Sequence, residues 1–150
     1  MTQVLAPVAG RLLALADVPD PVFAEGLVGP GLGIDPLRGP ADVVSPVSGR
    51  LVKLHPHAFV VVSEEGSGVL VHLGIDTVEL KGAGFRLHVQ EGSTVTAGQS
   101  IVSWHPSEIE AGGRSPICPV VALEAQPEAL SELRDTGVVQ AGEPLFTWSG

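Results

Sequence analysis

Residues 56–82 read PHAFVVVSEEGSGVLVHLGIDTVELKG. Two runs rich in β-branched and aromatic residues, Phe59 to Val62 and Val69 to Val71, flank a short polar segment with glycine, a pattern typical of a β-hairpin. His57 and His72 lie at its outer ends. An even-numbered loop, of two residues at Glu64-Glu65 or of four, would place both histidines on one face, with Cβ atoms roughly 4.5–8 Å apart. The stretch therefore predicts two neighbouring imidazoles in an aliphatic setting.

Two internal repeats extend this pattern along the chain. VLAPVAGRLLAL at Val4–Leu15 recurs as VVSPVSGRLVKL at Val43–Leu54, and VTAGQSIVSW at Val95–Trp104 recurs as VQAGEPLFTW at Val139–Trp148. The first repeat places a Pro-x-x-Gly turn before a short alternating strand, and the second places Ala-Gly before a strand that ends in Trp. Because a solenoid needs more copies, the repeats predict a duplicated, closed β unit.

The remaining composition favours an all-β fold. Nineteen glycines and thirteen prolines separate short apolar runs, as in an antiparallel β-sandwich or barrel. Helical signals are short. Pro127–Arg134 predicts a helix of about two turns, Pro106–Ala111 another turn, and Val22–Leu27 a third.

The 150 residues predict a single domain, 1–150, that can bury a core without cross-links. No apolar run approaches the ~20 residues of a membrane span, so we expect a soluble protein without direct membrane insertion. The first residues lack the pattern of a secretory signal. The single cysteine, Cys118, lies between two prolines and is expected to be a small buried hydrophobe in a reducing compartment.

The net charge of −9 argues against nucleic acid as a partner. Phosphate backbones are bound by Lys and Arg, yet the chain has only two lysines, Lys53 and Lys81, and six scattered arginines. An acidic surface instead suits a basic protein partner.

HLGIDTVELKG together with PHAF resembles the glucose-type enzyme IIA domain of the bacterial phosphoenolpyruvate-dependent sugar phosphotransferase system. The similarity runs across nearly the whole chain. The other motifs that carry it are APVAG, DVPDPVFAEGLVG, VSPVSG, CPVVAL and AGEPLFTW.

The resemblance implies a duplicated hybrid β motif and a phosphoryl carrier. His72 would take the phosphoryl group from a histidine-containing phosphocarrier protein and pass it to a cysteine of the IIB part of a membrane-bound IIB/IIC sugar permease. His57 would stabilise the phosphoryl group, and the Gly74 carbonyl would accept from Nδ1–H of His72, leaving Nε2 as the nucleophile. No cofactor is required, and the location would be cytoplasmic. The amphipathic N-terminal tail of some family members is not expected here.

Other residues around the motif have open or minor roles. Asp76 is a poor general base for a neutral imidazole, and two roles stay open for it: contact with a cationic side chain of the donor, or solvation of the IDT turn. Thr77 could cap that turn through its hydroxyl. We expect an aliphatic rim that keeps water from the phosphohistidine, formed by Val71, Leu73, Val78 and Leu32.

The chain departs from the family pattern at two positions. Pro30 stands in VGPG where the best-known members have VGDG, so one carboxylate is missing and donor docking must differ locally. His55 stands where those members have Thr, after a two-residue shortening, and is either an orienting partner of His57 or an exposed loop residue. His88 and His105 have no partner in the motif and are expected at the surface.

Two other functions compete with the carrier. The first is a zinc hydrolase, since zinc ligands could come from His55, His57, His72 and Asp76. The second ligand pair and the base that such peptidases need are not found, however. The second is a regulatory module that docks on metabolic proteins, a role that the same chain could have in addition to the carrier function. His57 and His72 form only half of a tetrahedral zinc site, so we expect at most weak, adventitious or regulatory zinc there.

Overall fold

Short strands connected by tight turns make up the chain in a computed structural model, which describes residues 1–149. Over these residues the chain forms fourteen β-strands, two α-helices and three 3₁₀ helices. The strands are β1 Thr2–Leu5, β2 Gly10–Ala14, β3 Gly31–Pro36, β4 Ala41–Val44, β5 Gly49–His55, β6 Ala58–Val62, β7 Gly68–His72, β8 Arg86–Leu87, β9 Thr94–Val95, β10 Ser100–Trp104, β11 Cys118–Ala122, β12 Leu130–Ser131, β13 Val138–Val139 and β14 Pro144–Trp148. The helices are α1 Pro21–Ala24 and α2 Pro106–Ala111, with 3₁₀ helices at Leu15–Asp17, Thr77–Leu80 and Pro127–Ala129.

The strands form three antiparallel sheets. The largest has eight strands in the order β13-β2-β3-β11-β7-β6-β5-β9. Two three-stranded sheets, β1-β14-β12 and β4-β10-β8, complete the sandwich. The predicted all-β antiparallel fold with a few short helical turns is therefore confirmed.

The duplication seen in the sequence recurs in the hydrogen bonding. β1 and β2 pair with β14 and β13, while β4 and β5 pair with β10 and β9. The two copies also bond to each other reciprocally, because Leu5 N donates to Pro46 O and Val44 N donates to Pro7 O, each at 2.9 Å. Equivalent backbone atoms of the two repeats thus form the same hydrogen bond in each direction, which indicates that a pseudo-two-fold axis relates the repeats.

Two apolar clusters lie on opposite faces of the eight-stranded sheet. Alternation along β7 directs Val69 and Val71 into the main core, where both are fully buried. Leu70 points the other way, onto a smaller cluster. That cluster joins the segment around α1 to the sheet, and its buried members are Val18, Phe23, Ile75 and Val121.

The helix predictions had different outcomes. Pro106–Ala111 is confirmed, and the predicted Val22–Leu27 helix is present as the shorter Pro21–Ala24. The two-turn helix over Pro127–Arg134 is wrong, because one 3₁₀ turn is followed by β12. Leu130 and Ser131 pair with Trp148 and Thr147, and this sheet pairing overrides a weak local helix preference.

The core contains the single cysteine of the chain. Cys118 is buried, and burial raises the pKa of its thiol to about 12, so it is an unreactive core residue as expected. None of the helices within residues 1–149 has the length and apolar character to cross a lipid bilayer.

Candidate functional site

The hairpin predicted around the histidines is present, but its loop differs. β6 and β7 pair from Val62↔Gly68 to Ala58↔His72, so the loop comprises five residues, 63–67, rather than two or four. Ser63 N donates to Ser67 O at 3.0 Å, and Gly66 adopts φ 85°. This left-handed glycine accommodates the extra residue. The even-numbered loop was wrong, and His72 faces Ala58.

His57 reaches His72 from a turn rather than from a strand. It follows Pro56 in the two-residue connection between β5 and β6, and its carbonyl accepts from Leu73 N at 2.7 Å. Strand alternation therefore does not set the direction of its side chain. The rings of His57 and His72 are edge to face, with centroids 5.2 Å apart and planes inclined by 71°. The two imidazoles are thus adjacent, although for a different geometric reason.

A backbone carbonyl fixes the orientation of His72. Nδ1 of His72 lies 2.6 Å from Gly74 O, and Gly74 adopts φ 81°, a left-handed conformation that glycine tolerates. A carbonyl can only accept, so Nδ1 carries the proton and Nε2 is unprotonated in the neutral ring. Phe23 of α1 packs beside the ring at a centroid distance of 5.3 Å. His72 is half-buried and presents one basic nitrogen.

Burial shifts both imidazoles toward the neutral form. It is the main cause that lowers the pKa of His72, against the hydrogen bond to Gly74 and the charges of Asp20 and Asp76, which raise it. Burial also lowers the pKa of His57, helped by repulsion from His72 and His55. A neutral imidazole has the free lone pair that nucleophilic attack requires.

The loop after His72 contains Asp76 and Thr77, which have different surroundings. Asp76 is exposed, adopts φ 61° and begins a 3₁₀ helix without a side-chain cap. Thr77 is fully buried, and its hydroxyl donates to Leu73 O at 2.7 Å. Thr77 therefore closes the turn, whereas the Asp76 carboxylate faces solvent near His72.

His55 lies at the end of β5 and is exposed. Its ring stacks on that of His57, with centroids 5.8 Å apart and planes inclined by 26°. The three histidines consequently form a row in the order His55, His57, His72.

Two residues of this site were missed by the sequence analysis. Asp20 caps α1 by accepting from Val22 N at 2.9 Å, and its charge acts on His72. Phe23, on the same helix, packs against the His72 ring. The Asp20-Pro21 pair is a recognisable helix start, but nothing local indicated that this helix would pack beside β7.

The predicted aliphatic rim is largely wrong. Val71, Leu73 and Leu32 are completely buried in the main core, whereas Val78 is 59% exposed. Val71 precedes His72 on the strand and so faces the opposite side of the sheet, and Leu32 lies on the central strand β3 between β2 and β11. Among the exposed aliphatic residues, Val22 precedes Phe23 on α1 and Val78 lies in the 3₁₀ helix that follows His72.

His88 is at the surface as expected, but it has partners. Its Nε2 contacts the Ser103 hydroxyl and lies 3.9 Å from an Asp42 carboxylate oxygen. The Ser103 hydroxyl donates to Asp42 and, with Ser100 donating at 3.3 Å, lowers the pKa of that carboxyl group. This polar cluster lies on the β4-β10-β8 sheet, away from His72.

The donor set for a metal ion is small. Within residues 1–149, no group of three or more His, Cys, Asp or Glu side chains is placed to hold a metal ion. His72 has its Nδ1 committed to Gly74, so the pair with His57 offers one imidazole nitrogen each, half of a tetrahedral zinc site.

Comparisons with known proteins show the family of the chain. Residues 2–127 match the family model "phosphoenolpyruvate-dependent sugar phosphotransferase system, EIIA 1". The chain is 40% identical over 120 residues to the glucose-specific EIIA component of Oceanobacillus iheyensis, covering 79% of this chain and 72% of that protein.

A longer relative and a solved structure extend the comparison. The chain is 36% identical over 146 residues to the beta-glucoside-specific EIIBCA component of Bacillus subtilis, covering 96% of this chain but only 24% of that protein. Glucose permease IIA from Mycoplasma capricolum superposes with a TM-score of 0.88 at 33% identity, covering 96% of this chain and 93% of that one. The chain therefore belongs to the EIIA type 1 family of the phosphoenolpyruvate-dependent sugar phosphotransferase system.

Proposed function

We propose that His72 carries a phosphoryl group between two proteins of the sugar phosphotransferase system. The observation that carries the proposal is the hydrogen bond from Nδ1 of His72 to Gly74 O, which leaves Nε2 unprotonated in a half-buried ring. A new N–P bond forms at Nε2 as the N–P bond of the donor's phosphohistidine breaks. A neutral imidazole attacks without losing a proton first, so no general base is needed.

His57 stabilises the phosphoryl group on His72. Its ring is within contact distance of His72 and has no hydrogen bond to residues 1–149 in the unphosphorylated protein. One N–H of His57 can therefore donate to a phosphoryl oxygen, a charge-assisted bond of about 1.5–3 kcal/mol. Arrival of a dianion beside His57 also favours its protonated form. His57 therefore becomes positively charged when the negative phosphoryl group is on His72.

The donor is a histidine-containing phosphocarrier protein, and the acceptor is the cysteine of a IIB component. An acidic chain with net charge −9 suits a basic docking surface on these partners. Asp76 is exposed beside His72, so it is suited to contact a donor cation rather than to act as a base. Pro30 removes a second carboxylate, which leaves Asp76 and Asp20 as the acidic groups whose charges act on His72.

The sugar is of the glucose or β-glucoside type, which the names of the relatives indicate. The IIB and IIC parts can be separate chains or fused, as in the long relative. We place the carrier in the cytoplasm, where phosphoenolpyruvate is produced. Docking on metabolic proteins through the same face would be an additional regulatory role.

Zinc is not required for this reaction. His57 and His72 could bind a zinc ion weakly, with the remaining ligands from water or a partner's carboxylate. Because zinc would occupy Nε2 of His72, it would inhibit phosphorylation. A zinc hydrolase is not favoured, because family membership points to a carrier. In addition, residues 1–149 bring no three His, Cys, Asp or Glu side chains together where they could hold a metal ion.

Incubation of the protein with phosphoenolpyruvate, enzyme I and the phosphocarrier tests the proposal. We expect one phosphoryl group per chain by intact mass, stable in base and labile in acid. The His72→Gln variant should accept none, while His88→Gln, a matched change at a surface histidine, should accept as well as the parent. An adduct that persists in His72→Gln would place the nucleophile elsewhere.

A further inference from the structure

The ring of the helper histidine, His57, is not held by hydrogen bonds within the described part of the chain. Neither ring nitrogen of His57 bonds to any residue from 1 to 149, whereas Nδ1 of His72 is held by Gly74. The backbone of His57 is well fixed, since Pro56 restricts the turn and Leu73 N donates to its carbonyl at 2.7 Å. Rotation of the side chain, in contrast, has no hydrogen bond to oppose it.

Ring packing supplies the missing restraint. Within the described chain, the aromatic contacts of His57 are with His72 on one side and His55 on the other. His72 meets it edge to face, while His55 forms an offset stack with it, with centroids 5.8 Å apart and planes inclined by 26°. His55 is itself placed by the last backbone pair of β5 and β6, His55↔Ala58.

We propose that His55 is a positioning residue for phosphoryl transfer, acting by stacking on His57 so that a nitrogen of that ring points toward the phosphoryl group on His72. This inference rests on the carrier function proposed above. His55 makes or breaks no bond in the reaction. It restricts the helper ring to the plane in which the stabilising hydrogen bond can form, which lowers the cost of organising the transition state.

Two variants separate stacking from other properties of His55. His55→Ala removes the ring, and His55→Phe retains a flat ring without nitrogen atoms. Onward transfer is measured from the phosphorylated carrier to a purified IIB domain, as single-turnover rates at several IIB concentrations. We expect His55→Ala to lower the maximal rate by about two- to ten-fold, the range for one lost aromatic contact. The concentration for half-maximal rate should be unchanged, and His55→Phe should restore the rate to within about two-fold of the parent, within the scatter of one such contact.

Control measurements distinguish positioning from damage to the fold. His55 is exposed, so the unfolding temperature of both variants should match the parent, and His88→Ala should transfer normally. ¹⁵N NMR of the His57 ring should show broadened or shifted resonances in His55→Ala but not in His55→Phe.

Each other outcome has a defined meaning. A parental transfer rate in His55→Ala, or equal losses in His55→Ala and His55→Phe, would overturn the stacking role. If the unmodified protein accepts no phosphoryl group at all, the carrier function fails first, and that result is separate from any effect of His55.

Discussion

His72 and His88 are two histidines of one chain, and their hydrogen bonds differ in kind. His72 is half-buried and uses Nδ1 to donate to a backbone carbonyl, which leaves Nε2 available. His88 is exposed and has its Nε2 occupied by the Ser103 hydroxyl, itself bonded to Asp42. The second arrangement resembles a catalytic triad in composition only, because the serine proton is directed at the carboxylate and not at the imidazole. Nε2 of His88 is then the donor to the Ser103 oxygen, so the neutral rings leave different nitrogens unprotonated, Nε2 in His72 and Nδ1 in His88.

After the loss of His72 itself, the loss of His57 should reduce phosphoryl transfer the most, whereas the same change at His88 should leave it unaltered. We expect His57→Gln to accept a phosphoryl group on His72 yet to pass it to IIB about ten- to a hundred-fold more slowly, since one charge-assisted hydrogen bond is missing. Rapid-quench transfer measurements provide the rate, and His88→Gln is the matched control. Parental rates of sugar phosphorylation in His57→Gln would refute the helper role.

Gly74→Ala tests whether the carbonyl partner matters. Gly74 has φ +81°, and an added Cβ would lie 2.7 Å from Thr77 Cγ2 and 3.0 Å from Ser115 O. The loop must shift, so the Nδ1 hydrogen bond weakens and phosphoryl acceptance should fall by about two- to ten-fold.

A second glycine controls for backbone strain in that experiment. Gly92 has φ +91° with open space around the position of a Cβ. Gly92→Ala therefore introduces the left-handed strain alone, of about 1–2 kcal/mol, and should accept normally. Equal acceptance by Gly74→Ala and the parent would show that the carbonyl does not set the reactive tautomer.

The pH dependence of His72 sharpens the comparison further. Burial lowers the pKa of the ring below its ordinary 6.5, so the neutral, nucleophilic form persists as the pH falls through 6.5 and is lost only at lower pH. His57 should behave in the same direction for the same main reason. NMR titration of the two rings measures this directly, and a midpoint for His72 at or above 6.5 would contradict it.

The smallest effect on transfer is expected from the polar cluster. Ser103→Ala removes the main hydrogen bond that lowers the pKa of Asp42, so that pKa should rise toward its ordinary value. The stabilisation that a depressed carboxyl pKa gives is present above the unfolded pKa and is lost as the pH falls through the folded pKa. Any stability change should therefore appear at neutral pH and above, and disappear in acid. Phosphoryl transfer should stay within about two-fold of the parent, the scatter expected of a surface substitution. A larger loss would connect the cluster to the site.

The local sequence pattern was sufficient to predict the two strands of the hairpin and α2. Alternation of side chains and a proline in the first turn of a helix are properties of a few adjacent residues. It was insufficient for the register of β6 and β7, which depends on a five-residue loop with Gly66 in a left-handed conformation. It also failed for the segment after Pro127, where pairing with the distant strand β14 decides the structure.

The surroundings of His72 depended even more on tertiary structure. The pair of histidines was predicted, yet the rim residues Val71 and Leu73 were assigned to the wrong side of the sheet. Asp20 and Phe23 lie some fifty residues before His72 in the chain, and only the packing of α1 on the sheet brings them near. Sequence reasoning predicted the adjacent pair of histidines, while the surroundings of that pair are a property of the fold.

The pairing of β1 with β14 has a consequence for how the protein acquires its shape. Thr2 pairs with Trp148 and Val4 with Phe146, so one sheet joins the first and last strands of the described chain. Contacts between residues so far apart in sequence are reached late and slow the folding of β proteins. During synthesis, β1 must wait without its partner until β14 has left the ribosome, and for that interval its open edge is available to chaperones or to other nascent chains.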